Sequence, residues 1–458
     1  MKYSRTDVHC KTHKIPAMRF EDQRLTSFSG LVLFQSLFVR LDLKERLRSR
    51  FNHITGGAIV GHAAIVFQLV VHLLLGYREL RDSRYYRDDP MVKRLLGLRR
   101  LPDVGTVSRA LANADTESVE RLRHLCRQLV LERLQVLGLY RLTLDFDGSV
   151  ISTGRSAEGT AVGYNKKKKG ARSYYPLFCT IAQTGQVFDV LHRSGNVHDS
   201  NGAQGFILQC IQVIRKSFPG IRIEVRMDSA FFSDGIVGAL DDLGVEFTLS
   251  VPFERFSELK GIIEGRKRWR RFNGELSYFE TRWKPKKWDQ RYRFVFIRQR
   301  SKVQQKGPIQ MDLFVPHEYG HEFKVMVTNK CIRMKKVLCF HNGRGSQEGV
   351  FGELKTHSQM DYVAVRRLNG NQVYLLSAVL AHNLSRELQM ATLPRVRNTT
   401  EKRTALWEFQ QLETIRQKLI QRAGRLTKPQ GRLTLTMSAN DAVRKELLHY
   451  LNALNEAA

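Results

Sequence analysis

Acidic residues are scarce in this sequence relative to basic ones. Of 458 residues, 75 are Lys or Arg and 44 are Asp or Glu, which gives a formal net charge of +31. An excess of this size predicts a polyanionic partner, most simply nucleic acid, and an affinity that falls as salt rises. Charge alone does not separate an enzyme from an architectural binder. The 42% hydrophobic content is enough for several globular domains.

Cysteine motifs are also missing. The six cysteines form no CxxC pair, and Cys10 with His13 is too short a cluster for a zinc site. We therefore expect reduced, mostly buried thiols in a cytosolic protein. No apolar run follows the first five residues, so we expect no signal peptide.

One uncharged run could mimic a membrane span. Residues 57–75 carry no Asp, Glu, Lys or Arg, but they include His62, Gln68 and His72. Polar side chains of this kind are costly in a bilayer, so the run predicts a buried core helix and no membrane association.

Two strand-like segments end in aspartates. In residues 142–147 the apolar side chains alternate with Thr143, Asp145 and Asp147, and Gly148 then breaks the strand. Residues 221–228 alternate in the same way and place Asp228 on the polar side of their end. Asp145 and Asp147 share one parity, so either of them could act together with Asp228.

A later segment predicts a helix with aligned charges. In residues 341–355, Arg344, Glu348 and Lys355 are spaced by four and seven positions, which places them within about 40° of one another around a helix. Glu353 is a rival acid, but it lies about 140° around the helix from Glu348, so both cannot face the same ions.

These carboxylates match the needs of phosphoryl transfer. Two acids at the ends of neighbouring strands and a third on a helix suit two divalent ions roughly 3.5–4 Å apart. We expect Asp228, Glu348 and one of the two strand aspartates, Asp145 or Asp147, to be the catalytic residues and to bind two Mg²⁺ ions, for which Mn²⁺ can substitute.

The periodicity of the chain changes along its length. It predicts an α/β fold whose mixed-sheet core has the β-β-β-α-β-α-β order of ribonuclease H and is interrupted by a β-rich insertion between helical ends. The predicted domains are a helical N-terminal DNA-binding domain (1–139), the first part of the catalytic core (140–251), a basic β-rich insertion (252–340), the second part of the core with the Glu-bearing helix (341–390), and a C-terminal helical region (391–458).

Basic side chains near these acids predict contacts with DNA phosphates. The cluster that follows Gly163 consists of Lys166, Lys167, Lys168 and Lys169. Charge and reach suffice to bind a backbone close to the first aspartate, although a solvated loop explains the same residues. Arg344 and Lys355 are expected to bind phosphate beside Glu348, with salt bridging as the alternative.

Tryptophans in the basic β-rich segment have two interpretations. Trp269, Trp283 and Trp288 could stack on a base displaced during DNA cleavage. Packing within a β domain is the simpler role for the same side chains.

Taken together, the motifs resemble those of the DDE transposases of bacterial insertion sequences, in the group 1 branch, over nearly the whole chain. The signature of that family usually begins with Tyr three residues before the arginine, and this chain has His341 there, so His341 is a candidate site residue. The motifs that carry the resemblance are Asp147-Gly148-Ser149, Arg226-Met227-Asp228-Ser229-Ala230-Phe231, Arg344-x3-Glu348-x6-Lys355, Gly163-Tyr164-Asn165, Arg193-x-Gly195-Asn196, Thr414-Ile415-Arg416 and Ala423-Gly424-Arg425.

The resemblance implies that the catalytic metal ligands are Asp147, which immediately precedes Gly148-Ser149 as in the family motif, Asp228 and Glu348. It also implies cut-and-paste transposition of an insertion sequence. Such an enzyme binds double-stranded DNA at terminal inverted repeats, hydrolyses it at the element ends, commonly through a hairpin, and joins the freed 3′-OH to target DNA. It implies a homodimer on DNA in the bacterial cytoplasm, at the nucleoid. A structure-selective nuclease of the same fold and a domesticated, non-catalytic DNA-binding protein are the alternatives.

Overall fold

The computed structural model describes residues 17–21, 23–54, 60–154, 156–163, 165, 168–197, 201–300, 321–398 and 400–456. The helices in this part of the chain, α1 to α14, span Leu31–Arg40, Leu43–Arg50, His62–Leu74, Pro90–Leu96, Val104–Ala112, Thr116–Leu137, Ala203–Ser217, Asp234–Asp242, Ser257–Glu264, Met334–Asn342, Ser346–Thr356, Leu368–Thr392, Leu412–Ile415 and Asp441–Glu456. The strands, β1 to β15, span Leu25–Thr26, Arg141–Gly148, Ile151–Thr153, Ala161–Val162, Arg172–Tyr174, Leu177–Ile181, Gln186–Leu191, Arg222–Met227, Glu246–Val251, Arg270–Arg271, Leu276–Trp283, Tyr292–Arg300, His321–Thr328, Gly424–Thr427 and Thr434–Met437.

A nine-stranded mixed sheet organises the molecule, with the order β10-β11-β12-β13-β9-β8-β2-β6-β7. Strands β2, β8 and β9 are parallel neighbours, and the remaining pairs are antiparallel. The prediction of a mixed α/β fold with a large mixed sheet is thus confirmed. Parallel strands need crossover connections, and α7 and α8 supply them before β8 and β9.

The β-rich segment continues this sheet. Strand β13 pairs antiparallel with β9, from Val325 opposite Val251 to Thr328 opposite Thr248, and β12 and β11 follow outward. The strands β10–β13 of residues 252–340, the range predicted as an insertion domain, therefore extend the central sheet. Without these strands β9 would be an edge with unpaired backbone groups.

Both faces of the sheet are covered, although the alternation suggested one polar face. Leu142, Leu144 and Phe146 pack in an apolar cluster with α7 and α8. On the opposite side Asp145 and Arg226 are also buried. Buried charges must be paired or hydrogen-bonded, so this face is a site of specific polar contacts.

Helices from both ends of the chain share one hydrophobic core. It combines apolar residues of α1–α6, α12, α13 and α14. Helix α12 is buried along nearly all of its length and lies at the centre of this core. Helix α3 lies in the same core, as predicted for a buried helix at residues 57–75, and no helix among the described residues is long and apolar enough to cross a membrane.

The C-terminal region differs from the helical prediction. Strands β14 and β15 form a hairpin that pairs with β1, so residues 391–458, predicted as a helical region, contain strands as well as helices. The packing explains the difference, because a Cβ at Gly424 would lie 2.1 Å from Ser29 Oγ. The glycine permits this close approach of strands that are distant in sequence.

Candidate active site

Two neighbouring parallel strands bring Asp147 and Asp228 to the same edge of the sheet. Asp145 of β2 is in register with Arg226 of β8, and the two aspartates lie two residues further along each chain. Asp147 Oδ1 accepts the Gly148 N–H at 2.8 Å, and Asp228 Oδ1 accepts the Ala230 N–H at 2.9 Å. A backbone N–H that follows each aspartate thus orients its carboxylate, and Asp228 also caps the 3-10 turn at Ser229–Phe231.

The rival Asp145 is placed differently. Its side chain is 1% exposed, and both of its oxygens accept hydrogen bonds from Arg226, at 2.5 Å from Nε and 2.7 Å from Nη2. Burial raises the pKa of Asp145, and the attraction of Arg226 opposes that rise. The carboxylate is therefore part of the interior, whereas Asp147 is half-buried at the rim.

Glu348 lies in a segment that contacts β2 through Arg344 and Gln347. The predicted continuous helix over residues 341–355 is wrong: α10 ends at Asn342, a 3-10 turn covers Gly343–Gly345, and α11 begins at Ser346. Glycines on both sides of Arg344 disfavour regular α-helix there, although the backbone angles of Gly343 and Gly345 stay in the right-handed helical region. Glu348 lies exposed in the first turn of α11.

The first turn of α11 is attached to β2. The buried amide of Gln347 donates a hydrogen bond from Nε2 to the backbone oxygen of Asp145 at 3.0 Å. Arg344 reaches the same strand, with Nη1 3.4 Å from Asp147 Oδ2. These two contacts bring the segment that carries Glu348 to the strand that carries Asp147.

Glu353, the other acid of α11, is buried and paired with groups of the protein interior. It is 4% exposed, forms an ion pair with Arg386 of α12, and accepts the Leu412 N–H at 3.1 Å. Lys355 lies half-buried near the C-terminal end of the same helix.

His341 joins α10 to the sheet. Its Nδ1 lies 3.1 Å from Thr248 Oγ1 and its Nε2 lies 3.0 Å from Ser250 Oγ, both on β9. Burial, followed by the positive charge of Arg344, lowers the pKa of His341 to about 3, so the ring is neutral at physiological pH. This neutral ring fixes α10, and thereby the start of the turn that leads to Glu348.

The predicted ligands have the chemistry of a hard divalent cation site, but the ligand atoms of Asp147, Asp228 and Glu348 do not all lie within 4.8 Å of one another. Asp147, Asp228 and Glu348 offer only carboxylate oxygens, which Mg²⁺ and Mn²⁺ prefer. Within the described ranges, only His53, Asp115 and Glu117 place three His, Cys, Asp or Glu ligand atoms all within 4.8 Å of one another. That cluster is explained as a helix start, because Asp115 accepts the Ser118 N–H at 2.7 Å and caps α6.

Comparison with known proteins decides the family. The family model described as transposase DDE domain group 1 matches residues 9–458, nearly the whole chain. The chain belongs to this family. It is accordingly a metal-dependent transposase that cleaves and joins DNA, as the motifs predicted. No curated protein matches the sequence.

Solved structures of other transposases are similar to this chain only at a distance. A piggyBac transposase synaptic complex with hairpin DNA aligns with a TM-score of 0.43 and 10% identity, over 86% of this chain and 79% of that chain. A Mos1 transposase paired-end complex with the left transposon end aligns with a TM-score of 0.19 and 10% identity, over 42% of this chain and 60% of that chain. At these scores the solved structures do not define the fold of this transposase.

The predicted lysine cluster of the transposase is only partly described. Lys166 and Lys167 lie outside the described residues, and Lys168 and Lys169 are exposed. The Lys168 N–H donates to Asn165 Oδ1 at 3.0 Å, and Asn165 Nδ2 donates to Ser152 Oγ at 2.7 Å on β3. Because β3 follows soon after β2, these lysines lie on the small sheet that continues from Asp147.

Two of the family-like motifs contact each other on this small sheet. A Cβ at Gly163 would lie 2.2 Å from the backbone oxygen of Gly195, and one at Gly195 would lie 2.3 Å from Ser173 Oγ. Arg193 ties the same region together through its Nε, which donates to the Tyr175 oxygen at 3.1 Å. The glycines therefore serve close packing of the loops beside the site.

The three tryptophans pack against aromatic neighbours on the extended part of the sheet. Trp288 is 7% exposed and stacks on Phe232 at 4.8 Å between ring centroids. Trp269 and Trp283 meet Phe279 and Phe294 edge-on at 4.6 and 4.9 Å. Packing accounts for all three rings, as the simpler interpretation expected.

Sequence reasoning missed the contacts of Arg226. The signal was available, since Arg226 and Asp145 occupy the polar parity of two predicted neighbouring strands. The alternation could not show that this face is buried, because its cover includes residues 400–407, far along the chain.

Proposed function

We propose that this transposase moves an insertion sequence by cut-and-paste transposition, on a ribonuclease H-like core in which Asp147, Asp228 and Glu348 hold two Mg²⁺ ions. The observation that carries the proposal is the placement of Asp147 and Asp228 at the ends of paired parallel strands, with the Glu348 turn attached to β2 through Gln347. The match of the chain to a transposase DDE domain model supports a catalytic role for acidic residues.

The bound ions would activate the attacking oxygen and stabilise the leaving oxygen during in-line phosphoryl transfer. The residues of the chain then have separate tasks. The carboxylates hold the ions, Arg344 and Lys355 bind phosphates of the DNA end, and the lysines beside β3 attract the backbone as it enters. Arg344 balances the charge of Asp147 in the absence of DNA, since the two groups are 3.4 Å apart.

We further propose that the partners are terminal inverted repeats and target DNA, bound by a homodimer at the bacterial nucleoid. The net charge of +31 supports a DNA partner that is bound mainly through phosphates. A strand-transfer reaction separates this activity from that of a nuclease, because joined products require both cutting and attack by the freed 3′-OH.

The test is strand transfer of labelled element ends with Mg²⁺ by the full chain and three variants, Asp147→Asn, Asp228→Asn and Glu348→Gln. We expect each variant to lose joining by on the order of 10²–10³-fold or more, because transition-state charge is no longer stabilised. Glu258→Gln is the matched control, since Glu258 is also an exposed acid in the first turn of a helix, α9. Normal joining by the Asp228→Asn variant, or nicked products alone from the wild type, would refute the proposal.

A further inference from the structure

One guanidinium group links the chain segments that carry the three carboxylates. Arg226 is fully buried and lies in β8, two residues before Asp228. Its Nε and Nη2 donate to both oxygens of Asp145, two residues before Asp147 on β2. Because the pair sits at matching positions of neighbouring parallel strands, it fixes the register and twist of the two strand ends.

The remaining terminal nitrogen of Arg226 binds two further segments. Its Nη1 donates to the backbone oxygens of Phe340, at 3.0 Å, and Lys402, at 2.8 Å. Phe340 belongs to α10, which leads through the 3-10 turn to Glu348, and its ring lies 5.2 Å from the guanidinium carbon. Only arginine offers enough N–H groups in a planar fork for these four contacts, so lysine cannot replace it.

Gly343 shows how closely these segments approach. A Cβ at Gly343 would lie 2.0 Å from Arg226 Nη1 and 2.0 Å from the backbone oxygen of Lys402. The φ angle of Gly343 is −62°, which any residue can adopt, so space and not backbone conformation requires glycine here. The turn before Glu348 is therefore built around the Arg226 side chain.

We propose that Arg226 is a positioning residue for the transposase reaction, which holds the Asp147 strand, the Asp228 strand and the Glu348 turn at the spacing required to bind metal ions. Gly343 is its counterpart, since it leaves the room that the guanidinium occupies. This inference rests on the proposed function of the three carboxylates. It assigns to Arg226 no contact with DNA or with the reacting atoms.

The experiment measures Mn²⁺ binding by the full-length chain without DNA, from the electron paramagnetic resonance signal of free Mn²⁺. Gly343→Ala displaces the guanidinium while every charge is kept, and Gly345→Ala is the control, because a Cβ at Gly345 meets no atom within 4 Å. Residues that orient metal ligands typically change metal affinity by about 10- to 100-fold. We expect a loss of about 10-fold or more for Gly343→Ala and about the wild-type affinity for Gly345→Ala.

Asp228→Asn in the same titration separates the two proposals. If Asp228→Asn weakens Mn²⁺ binding and a folded Gly343→Ala does not, the positioning role of Arg226 is refuted and the proposed ligands stand. If Asp228→Asn binds Mn²⁺ like the wild type, the proposed ligand set fails, and the role of Arg226 fails with it.

A second variant covers the case in which Gly343→Ala does not fold. The double substitution Arg226→Met with Asp145→Leu replaces the buried ion pair by apolar side chains, which proteins often tolerate without loss of stability. Thermal denaturation identifies the folded variants. A folded double variant with about 10-fold weaker Mn²⁺ binding supports the proposal, whereas wild-type binding in that variant overturns it.

Discussion

At the scale of single residues, burial separates acids that look alike in the sequence. Asp145 and Asp147 share one strand parity, but Arg226 takes both oxygens of Asp145 while Asp147 lies at the rim. Glu348 and Glu353 share one helix, and only Glu353 is buried against an arginine. The chain therefore uses one acid of each pair for its interior.

Glu353→Gln and Glu348→Gln should have opposite effects on stability and activity. Removing the charge of Glu353 leaves Arg386 buried without its counter-ion, which we expect to lower the free energy of unfolding by about 3 kcal/mol. Glu348 is exposed, so its substitution should change that free energy by less than about 0.5 kcal/mol while strand transfer is lost. Urea denaturation of both variants measures the difference, and equal destabilisation would contradict it.

The sequence contained part of this residue-level information. Alternation predicted which aspartates share a strand face, and helical geometry separated Glu348 from Glu353. The sequence pattern could not show which residues cover the polar face of the strands. Glu224 of β8 is fully buried because Lys330 and Arg403 reach it, and Arg403 is 179 residues away. Such partners cannot be inferred from local periodicity.

At the scale of elements, the strands that were predicted from alternation form the centre of the sheet. The predicted strand over residues 221–228 contains β8, and that over 142–147 lies within β2. The interruption before Glu348 was harder to predict, because 3.6-residue periodicity continues across Gly343 while the α-helix changes there to a 3-10 turn packed against Arg226. A close approach between distant segments leaves no periodic signal.

Because β10–β13 extend the sheet beyond β9, deleting them should destabilise the protein. Replacing residues 270–328 by a short Gly-Ser linker removes the partner of β9 and the aromatic cluster around Phe279 and Phe294. We expect the shortened chain to aggregate, since β9 becomes an exposed edge. Soluble yield and far-UV circular dichroism measure this.

The control for this deletion lengthens a turn without removing a strand. An insertion of the same linker after Gly274, which is exposed between β10 and β11, should give soluble, folded protein. A shortened chain that is as soluble and as folded as this control would show that residues 252–340 are a separable domain, as the sequence alone suggested.

At the scale of the whole molecule, a strongly basic surface surrounds an interior that holds neutral histidines. Burial lowers the pKa of His72 and of His382 to about 4, and that of His341 to about 3. These folded-state pKa values lie below the ordinary value of 6.5, so the unfolded chain binds more protons between pH 6.5 and 4. The stability that the neutral rings contribute is complete above pH 6.5 and declines as the pH falls.

We therefore expect the free energy of unfolding to fall between pH 7 and pH 5, with a slope of up to about 1.4 kcal/mol per pH unit for each histidine below its unfolded pKa. His382→Gln tests the origin of the slope, since Gln can still donate to the Gly185 oxygen that His382 Nε2 reaches at 2.9 Å. Urea titrations at several pH values should give a flatter profile for this variant. A profile identical to that of the wild type would exclude His382 as a contributor.

The segment at residues 400–407 has a consequence for how the protein is made. It follows Glu348 in the chain, yet Lys402 and Arg403 bind Arg226 and Glu224 on the central strands, and the Leu406 N–H donates to the Gln183 backbone oxygen beside them. A ribosome must therefore translate beyond all three acids before their surroundings close. Copies of the gene that carry a stop codon upstream of this segment would encode chains without these contacts, so under the proposed assignment of the three acids we expect those chains to be inactive.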